Sequence, residues 1–415
     1  MSVSDRKTLQ NHEELWKDFY VPIAEAMANT DTPFRATVKR IKNYTGKQLK
    51  GAAKLSVGAG IGNGVLPAGS TYKADDVAYT STPMWGAVVL DWETIVSTKD
   101  DKGAFINETA DAVETMLTAF NTNESRQFFG THNGILGTLN GAAPVDNGDG
   151  TWSMTISAAT WFYPNWEAGY VVNLGSDGTP FEVTRVARST RVITFKRRDG
   201  YSYDPTTAST TANVYMQNSK DIELIGLREI YTTRDNSGSN TLYGVPVQPR
   251  WESRELDAAS APLIPDMITE MVEMQAEDTK EPFTDCWLHS VQYAALVNQL
   301  EGKKEYTQLK SNDARYADMG FEMLTFKSRV GPVRIGTDRF VPFSHAIFTT
   351  RSKIEVRERP EFGWLTFDTG SKFLRDHKEG MKPCYKAFYG GYEQFFAHPA
   401  SVGYIKDLAV PSYAS

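Results

Sequence analysis

Apolar residues recur at helical spacing in four parts of the chain and alternate at strand spacing through much of the rest. Leu9, Leu15, Trp16, Phe19, Tyr20, Ile23 and Met27 fall near a 3.6-residue period, with charged residues between them, and predict an amphipathic helix over 4–28. Ile106, Ala110, Val113, Leu117 and Phe120 step by four, three, four and three residues, with Glu108, Asp111 and Glu114 opposite. That single stripe predicts a long helix over about 103–128, lying along a sheet as a brace. A third helix is expected over 262–275, with Pro262 near its start and Ile264, Met267, Ile268, Met271 and Val272 on one side. A fourth is expected to start at Ser290 as N-cap, to run through Tyr293, Leu296 and Leu300, and to end by Gly302.

Strand patterns fill most of the remainder. Residues 35–42 read as a short strand and 84–95 as a longer one. Across 137–218 turn signals recur at 147–150, 177–178 and 199–200. Short runs lie between them: Trp152-Met154-Ile156, Tyr170 to Val172, Phe181 to Val183 and Val192 to Phe195. Evenly spaced short strands predict a small barrel or sandwich, inserted in a mixed α and β body. Its aromatic group (Trp161, Phe162, Tyr163, Trp166, Tyr170) fills either the barrel core and lid or a sugar-stacking platform. Beyond residue 222 strands are expected at 284–289, 331–342, 346–359, 363–367 and 384–396. The overall class is α+β.

One stretch has no period. Residues 45–82 are rich in glycine and poor in bulky side chains, and read as a long flexible loop. Gly58-Ala59-Gly60 resembles a dinucleotide fingerprint but fails on spacing, because Asn63 and Val65 stand where the next glycine is required.

Charge sharpens this picture. The chain carries a formal net charge of −7, so it is not a basic nucleic-acid binder as a whole. Yet Arg35, Lys39, Arg40, Lys42, Lys47, Lys50 and Lys54 follow one another with no acid between them. Such a run is either a solvated face or a surface for an acidic patch on a neighbour or for nucleic acid. The two cysteines, Cys286 and Cys384, form no metal or disulfide spacing, and no apolar run reaches membrane-spanning length. The N-terminal residues lack a signal-peptide core, so a reducing cytoplasm is expected. None of the six histidines has a partner at metal-ligand spacing, and no nucleophile elbow is present. Asp285, Cys286 and His289 lie close in sequence, but Cys286 falls in an apolar strand and reads as a buried thiol. These patterns predict no enzyme, cofactor or metal.

The order of the pieces resembles that of tailed-bacteriophage major capsid proteins of the Hong Kong 97-type fold. The resemblance rests on the Gly-rich stretch 45–82, the long helix, the helix 262–275, the strand and helix 284–300, and Gly331, Val333, Ile335, Asp338 and Pro342. It implies an N-terminal arm (1–34), an extended loop and peripheral domain with a spine helix (35–136), a β insertion domain (137–220), and an axial domain with return strands (221–415). It implies self-assembly into hexamers and pentamers of an icosahedral head around double-stranded DNA, in the cytoplasm of a bacterial host. Portal and scaffolding proteins are implied partners, and a decoration protein a further one. An encapsulin-like compartment shell and a carbohydrate-binding protein are the alternatives. Arm contacts are expected from Trp16, Phe19, Tyr20 and Ile23, and loop contacts from Lys47, Lys50, Lys54, Val65, Leu66 and Tyr72. Arg35, Lys39, Arg40 and Lys42 are the residues expected to face nucleic acid. Some relatives crosslink a loop lysine, for which Lys47, Lys50, Lys54 and Lys73 are available.

Overall fold

The computed structural model describes residues 33–42, 48–56, 73–91, 102–175, 178–198, 200–234, 240–248, 250–279, 281–301, 324–360, 362–366, 374–376 and 384–410. The expected helix over 4–28, with Trp16, Phe19, Tyr20 and Ile23, lies outside these residues, as do Lys47, Val65, Leu66 and Tyr72. The described chain opens with a short helix α1 (Pro33–Thr37), strand β1 (Lys39–Ile41), and a hairpin of β2 (Gln48–Ser56) and β3 (Lys73–Thr80). Strand β4 (Thr82–Asp91) and the long helix α2 (Lys102–Phe128) follow. Seven short strands come next: β5 (Ile135–Thr138), β6 (Val145–Asp146), β7 (Thr151–Thr155), β8 (Val171–Leu174), β9 (Phe181–Ala187), β10 (Val192–Arg197) and β11 (Asn213–Met216). After α3 (Leu227–Thr232) come the strands β12 (Thr241–Leu242), β13 (Val245–Pro246) and β14 (Arg254–Asp257), then α4 (Pro265–Asp278), β15 (Asp285–Leu288) and α5 (Ser290–Glu301). The described chain ends with β16 (Leu324–Lys327), β17 (Pro332–Thr337), β18 (Ala346–Thr349), β19 (Ile354–Glu358), β20 (Gly363–Trp364), β21 (Leu374–Asp376), β22 (Cys384–Ala397) and β23 (Val402–Lys406).

Three hydrophobic cores organise these elements. The first lies between α2 and a sheet built on β22. Strand β4 runs along one edge of β22, while β21, β20 and β19 pair in turn along the other, and β1 joins β19 in parallel. Alternation along β4 turns Met84 and Val88 inward, both buried, and leaves Trp85 and Val89 exposed. Gly86 sits under the helix, where a Cβ would lie 2.3 Å from Met116 Sδ, so a larger residue there requires the Met116 side chain to move. Along α2 the expected stripe holds: Val113, Leu117 and Phe120 are buried.

The second core lies under the six-stranded sheet β14-β23-β18-β15-β17-β16, covered by α4 and α5. The third fills a small barrel. Its strand order is β5-β11-β8-β9-β10-β7-β6, and a bridge from Leu139, just past β5, to Ile156, just past β7, links those two strands and leaves β6 at the margin. Asn140 N–H donates to Thr155 O and Ser157 N–H to Thr138 O, at 3.0 and 2.8 Å, and this closes the ring. Inward residues such as Ile156, Trp166, Val214, Ile193 and Phe195 are fully buried, as the alternating pattern requires.

Four sequence expectations are corrected. Residues 35–42 are not one strand, because Pro33 opens a turn of helix and Thr37 Oγ1 donates back to Phe34 O at 2.7 Å. The stretch 45–82 is not simply a loop: β2 and β3 pair from Gln48–Thr80 to Ser56–Lys73, and Ala78 N–H donates to Tyr243 O at the hairpin's base. Residues 346–359 are not one strand either. A 3-10 turn at Arg351–Lys353 sends β18 into the second core's sheet and β19 into the first. Arg351 fixes that turn, donating from Nη2 to Asp285 Oδ1 at 2.9 Å. Finally, α4 starts at Pro265 and not near Pro262, which leaves Ile264 exposed at its N-cap.

Candidate functional site: the anchor of the basic segment

The chain enters the described body at a socket where both larger cores meet. Phe34 is 1% exposed, and its ring lies 4.9 Å from Phe129, 5.3 Å from Trp287, 6.0 Å from Phe128 and 6.3 Å from Phe395. These partners come from the end of α2, from β15 and from β22. One inserted ring therefore ties three elements together. Asp338, in the turn after β17, accepts the backbone N–H of Phe34 at 3.3 Å and that of Phe340 at 3.0 Å. Burial pushes the Asp338 carboxyl up to about 6, although the two backbone donors pull it down.

The charges beside this plug form a closed set. Glu124, on α2, is fully buried. It accepts from Arg35 Nε at 2.5 Å and also pairs with Arg40. Arg40 Nη1 reaches Glu358 of β19 at 2.5 Å and stands 3.8 Å from Glu393 of β22. Burial opposes charge on the Arg40 guanidinium, but Glu124, Glu393 and Glu358 outweigh it and hold its pKa above the ordinary value. Burial likewise opposes ionisation of Glu124, and Arg35 and Arg40 reverse this and hold its carboxyl below the usual range. Glu393 fares otherwise. Burial and the nearby Glu124 push its pKa well above the usual range, and neither of its oxygens has a hydrogen-bond partner. Two guanidiniums face three carboxylates, so within the buried set they balance two of them and Glu393 keeps its proton.

This geometry reassigns two of the residues expected to face nucleic acid: the Arg35 and Arg40 head groups are held by internal carboxylates. Lys39 is exposed on β1, and Lys42 is exposed with its Nζ 3.8 Å from Glu358. Lys50 and Lys54 take register positions opposite Ala78 and Ala74 on β2.

A second buried set fixes the barrel to the body. Arg126, near the end of α2, pairs with Glu223, and both are buried. Gln127 Oε1 accepts from Leu224 N–H at 3.1 Å. His132 Nδ1 lies 2.5 Å from Glu223 O and must carry the hydrogen, since a carbonyl only accepts. The segments entering and leaving the barrel are thus stitched to each other and to α2. Sequence reading missed Glu124, Arg126 and Gln127 because it took polar residues on a helix as solvent-facing. The run Asn121 to Gln127, set between Phe120 and Phe128, was the available signal.

The chemical candidates resolve as structure. The Cys286 thiol is fully buried and burial drives its pKa up. His289, not Ser290, caps α5: its O accepts from Tyr293 N–H at 3.0 Å and its Nδ1 from Val291 N–H at 3.3 Å. Burial brings His289 down to about 4, so the ring is the neutral acceptor this cap needs. Trp166 is 1% exposed, with Trp161 stacked on it at 6.3 Å, which makes the pair barrel core and lid and not a sugar platform. Among the described residues no group of histidine, cysteine and carboxylate could hold a metal ion, and no helix is long and apolar enough to cross a membrane.

No protein-family model matches the chain, and no curated protein matches it in sequence. Solved structures do match. A chain of the cyanophage A-1(L) capsid asymmetric unit is 11% identical, with 92% of this chain and 93% of that chain covered and a TM-score of 0.53. The holo-SrpI encapsulin complex of Synechococcus elongatus PCC 7942 (6% identical, 91% and 88% covered) and the capsid of Myoviridae phage XM1 (8%, 90% and 90%) give lower TM-scores of 0.45 and 0.44. Over 92% of its length, this chain has the α+β fold of the cyanophage capsid chain.

Proposed function

We propose that this chain is the repeating subunit of a tailed-phage head, a major capsid protein with a structural and not an enzymatic role. The observation that carries this reading is the likeness in fold to the cyanophage capsid chain over nearly the full length of both. The interior supports it: the buried charged groups are engaged in holding elements together, as in Arg40 with Glu124 and Arg126 with Glu223. In this reading copies associate as hexamers and pentamers of an icosahedral shell around double-stranded DNA, assembled in the host cytoplasm. Portal and scaffolding proteins are partners, and the barrel is a place for a decoration protein. Of Arg35, Lys39, Arg40 and Lys42, the exposed Lys39 and Lys42 are the ones left to meet DNA, through weak and salt-sensitive contacts. The residue 1–32 segment and the β2–β3 hairpin, a two-stranded sheet of its own, reach neighbouring copies.

Sedimentation and negative-stain imaging of the expressed chain, with its scaffold if one is needed, test the reading. Hollow particles of megadalton size are expected, and nucleic acid as their content separates a phage head from an enzyme-loaded compartment. A chain lacking residues 50–75 should fold but form no normal shell. Assembly of that variant equal to the parent's would remove the hairpin from the reading.

A further inference from the structure

The chain is acidic overall, yet residues 183–198 hold Arg185, Arg188, Arg191, Lys196, Arg197 and Arg198 and no acid. The barrel sorts these cations. Arg188 lies over the Tyr163 ring, 3.5 Å from its centroid, and Arg197 Nη1 donates to Tyr203 O at 3.0 Å while its guanidinium sits over Trp152. Ile193 and Phe195 point inward, which leaves Lys196 and Arg198 on the outer face, and a bulge at Thr184 sets Arg185 opposite Thr194 on that same face. Lys196 and Arg198 are half exposed, and their carboxylate among the described residues is Glu182, at 3.4 and 4.0 Å. Among the described residues, three cations against one anion make this face positive.

Helix α4 presents the converse. Ile268, Met271 and Val272 are buried, and Asp266, Glu270, Glu273 and Glu277 follow at intervals of four, three and four on the other side. Among the described residues the cation in ion-pair reach of this row is Arg329, 3.5 Å from Glu273 and itself largely exposed. Like charges at such spacing repel along a helix, so the row is a liability in an isolated subunit.

We propose that the outer face of β9 and β10 docks on the acidic face of α4 of a second copy of this chain. The inference rests on the shell reading. Both faces are exposed in one chain, so they do not meet within it. Their lengths agree: the eleven steps from Asp266 to Glu277 rise about 16 Å along the helix, and the four steps from Thr194, the partner of Arg185, to Arg198 span about 13 Å. Nucleic acid is the poorer occupant. Trp152 and Tyr163 are already covered by arginines and Trp166 is buried, so these three rings are not free to stack bases.

Charge swapping tests this in the full chain. Arg185→Glu with Arg198→Glu, and separately Glu270→Arg with Glu273→Arg, should each raise the concentration needed for particle formation by about tenfold, the effect of one good interfacial pair. All four changes together should restore it to within about threefold. Failure of the four-fold variant to recover, or assembly of either two-fold variant like the parent, overturns the proposal and leaves the shell reading intact. Altered nucleic-acid content in the barrel variant, with no effect of the α4 variant, also overturns it. Carbodiimide treatment of mixed isotopically light and heavy chains gives a readout that needs no closed shell. A Lys196 link to Glu270 or Glu273 between light and heavy chains is expected, and its absence counts against the docking even if particles never form.

Discussion

Glu124→Gln and Glu393→Gln should shift stability in opposite directions, and their difference should depend on pH. Glu393 has a folded pKa raised above its unfolded value. Its contribution is therefore present below the unfolded pKa of about 4.5 and is lost as pH rises through the folded value, at about 1.4 kcal/mol per pH unit. Glutamine mimics the protonated form, so Glu393→Gln should match the parent in mild acid and become progressively more stable than it as pH rises. Glu124 has a lowered folded pKa. Its contribution is present above the unfolded pKa and is lost as pH falls through the folded one. Removing this carboxylate breaks two buried pairs, which costs about 3–5 kcal/mol, and the lower figure applies because Arg40 is partly exposed and keeps Glu358. Glu124→Gln also removes a main cause of the raised Glu393 pKa, so Glu393 can ionise beside Arg40 and recover part of the loss. The double variant should then be less stable than the sum of the single changes predicts. Thermal unfolding of the unassembled subunit from about pH 3 to pH 8 measures all of this, with about 1 kcal/mol corresponding to ~1 °C for a chain of 415 residues. A pH-independent offset for Glu393→Gln, or strict additivity of the pair, would refute the charge balance assigned to the anchor.

Other consequences are simpler. Phe34→Ala should cost about 3–5 kcal/mol by emptying a socket lined with four aromatic rings. Faster amide exchange across 33–41 should accompany the lower melting point, and unchanged exchange there would mean that Phe34 is not the anchor. His289→Asn keeps a capping acceptor but cannot titrate. With a folded pKa of about 4 against an ordinary 6.5, the parent loses about 3 kcal/mol at this residue as pH falls between those values, and the variant should lack that loss in an acid melting series. Trp166→Ala should lower barrel stability by about 3–5 kcal/mol and leave sugar binding absent in both proteins by calorimetry. A measurable affinity in the parent would restore the platform reading.

The parts legible in the sequence are those where one face is apolar and the other wet. The α2 stripe from Val113 to Phe120 and the barrel strands around Ile193 and Phe195 are of this kind. Each follows from a local period, and the period survives folding because burial is one-sided. The anchor was not legible for the opposite reason. In the stretch around Arg35 and Arg40 the reading weighed charge by its sign along the chain, whereas the fold pairs it across 84 and 318 residues, with Glu124 and Glu358. No local pattern encodes such a pairing. The break between β18 and β19 was hidden similarly, since apolar alternation continues on both sides of Arg351 and only the distant Asp285 shows why the chain turns there. The polar run Asn121 to Gln127 lies between these cases. Taken alone it reads as a helix fraying into water. Set between Phe120 and Phe128, it describes a helix end buried on all sides, where every polar group must find a partner. Glu124, Arg126 and Gln127 find theirs in the basic segment and in the chain leaving the barrel. The long helix therefore does more than brace a sheet. Its last two turns are the point at which the basic segment, the sheet and the barrel are fixed to one another, so a change at this end should be felt in all three.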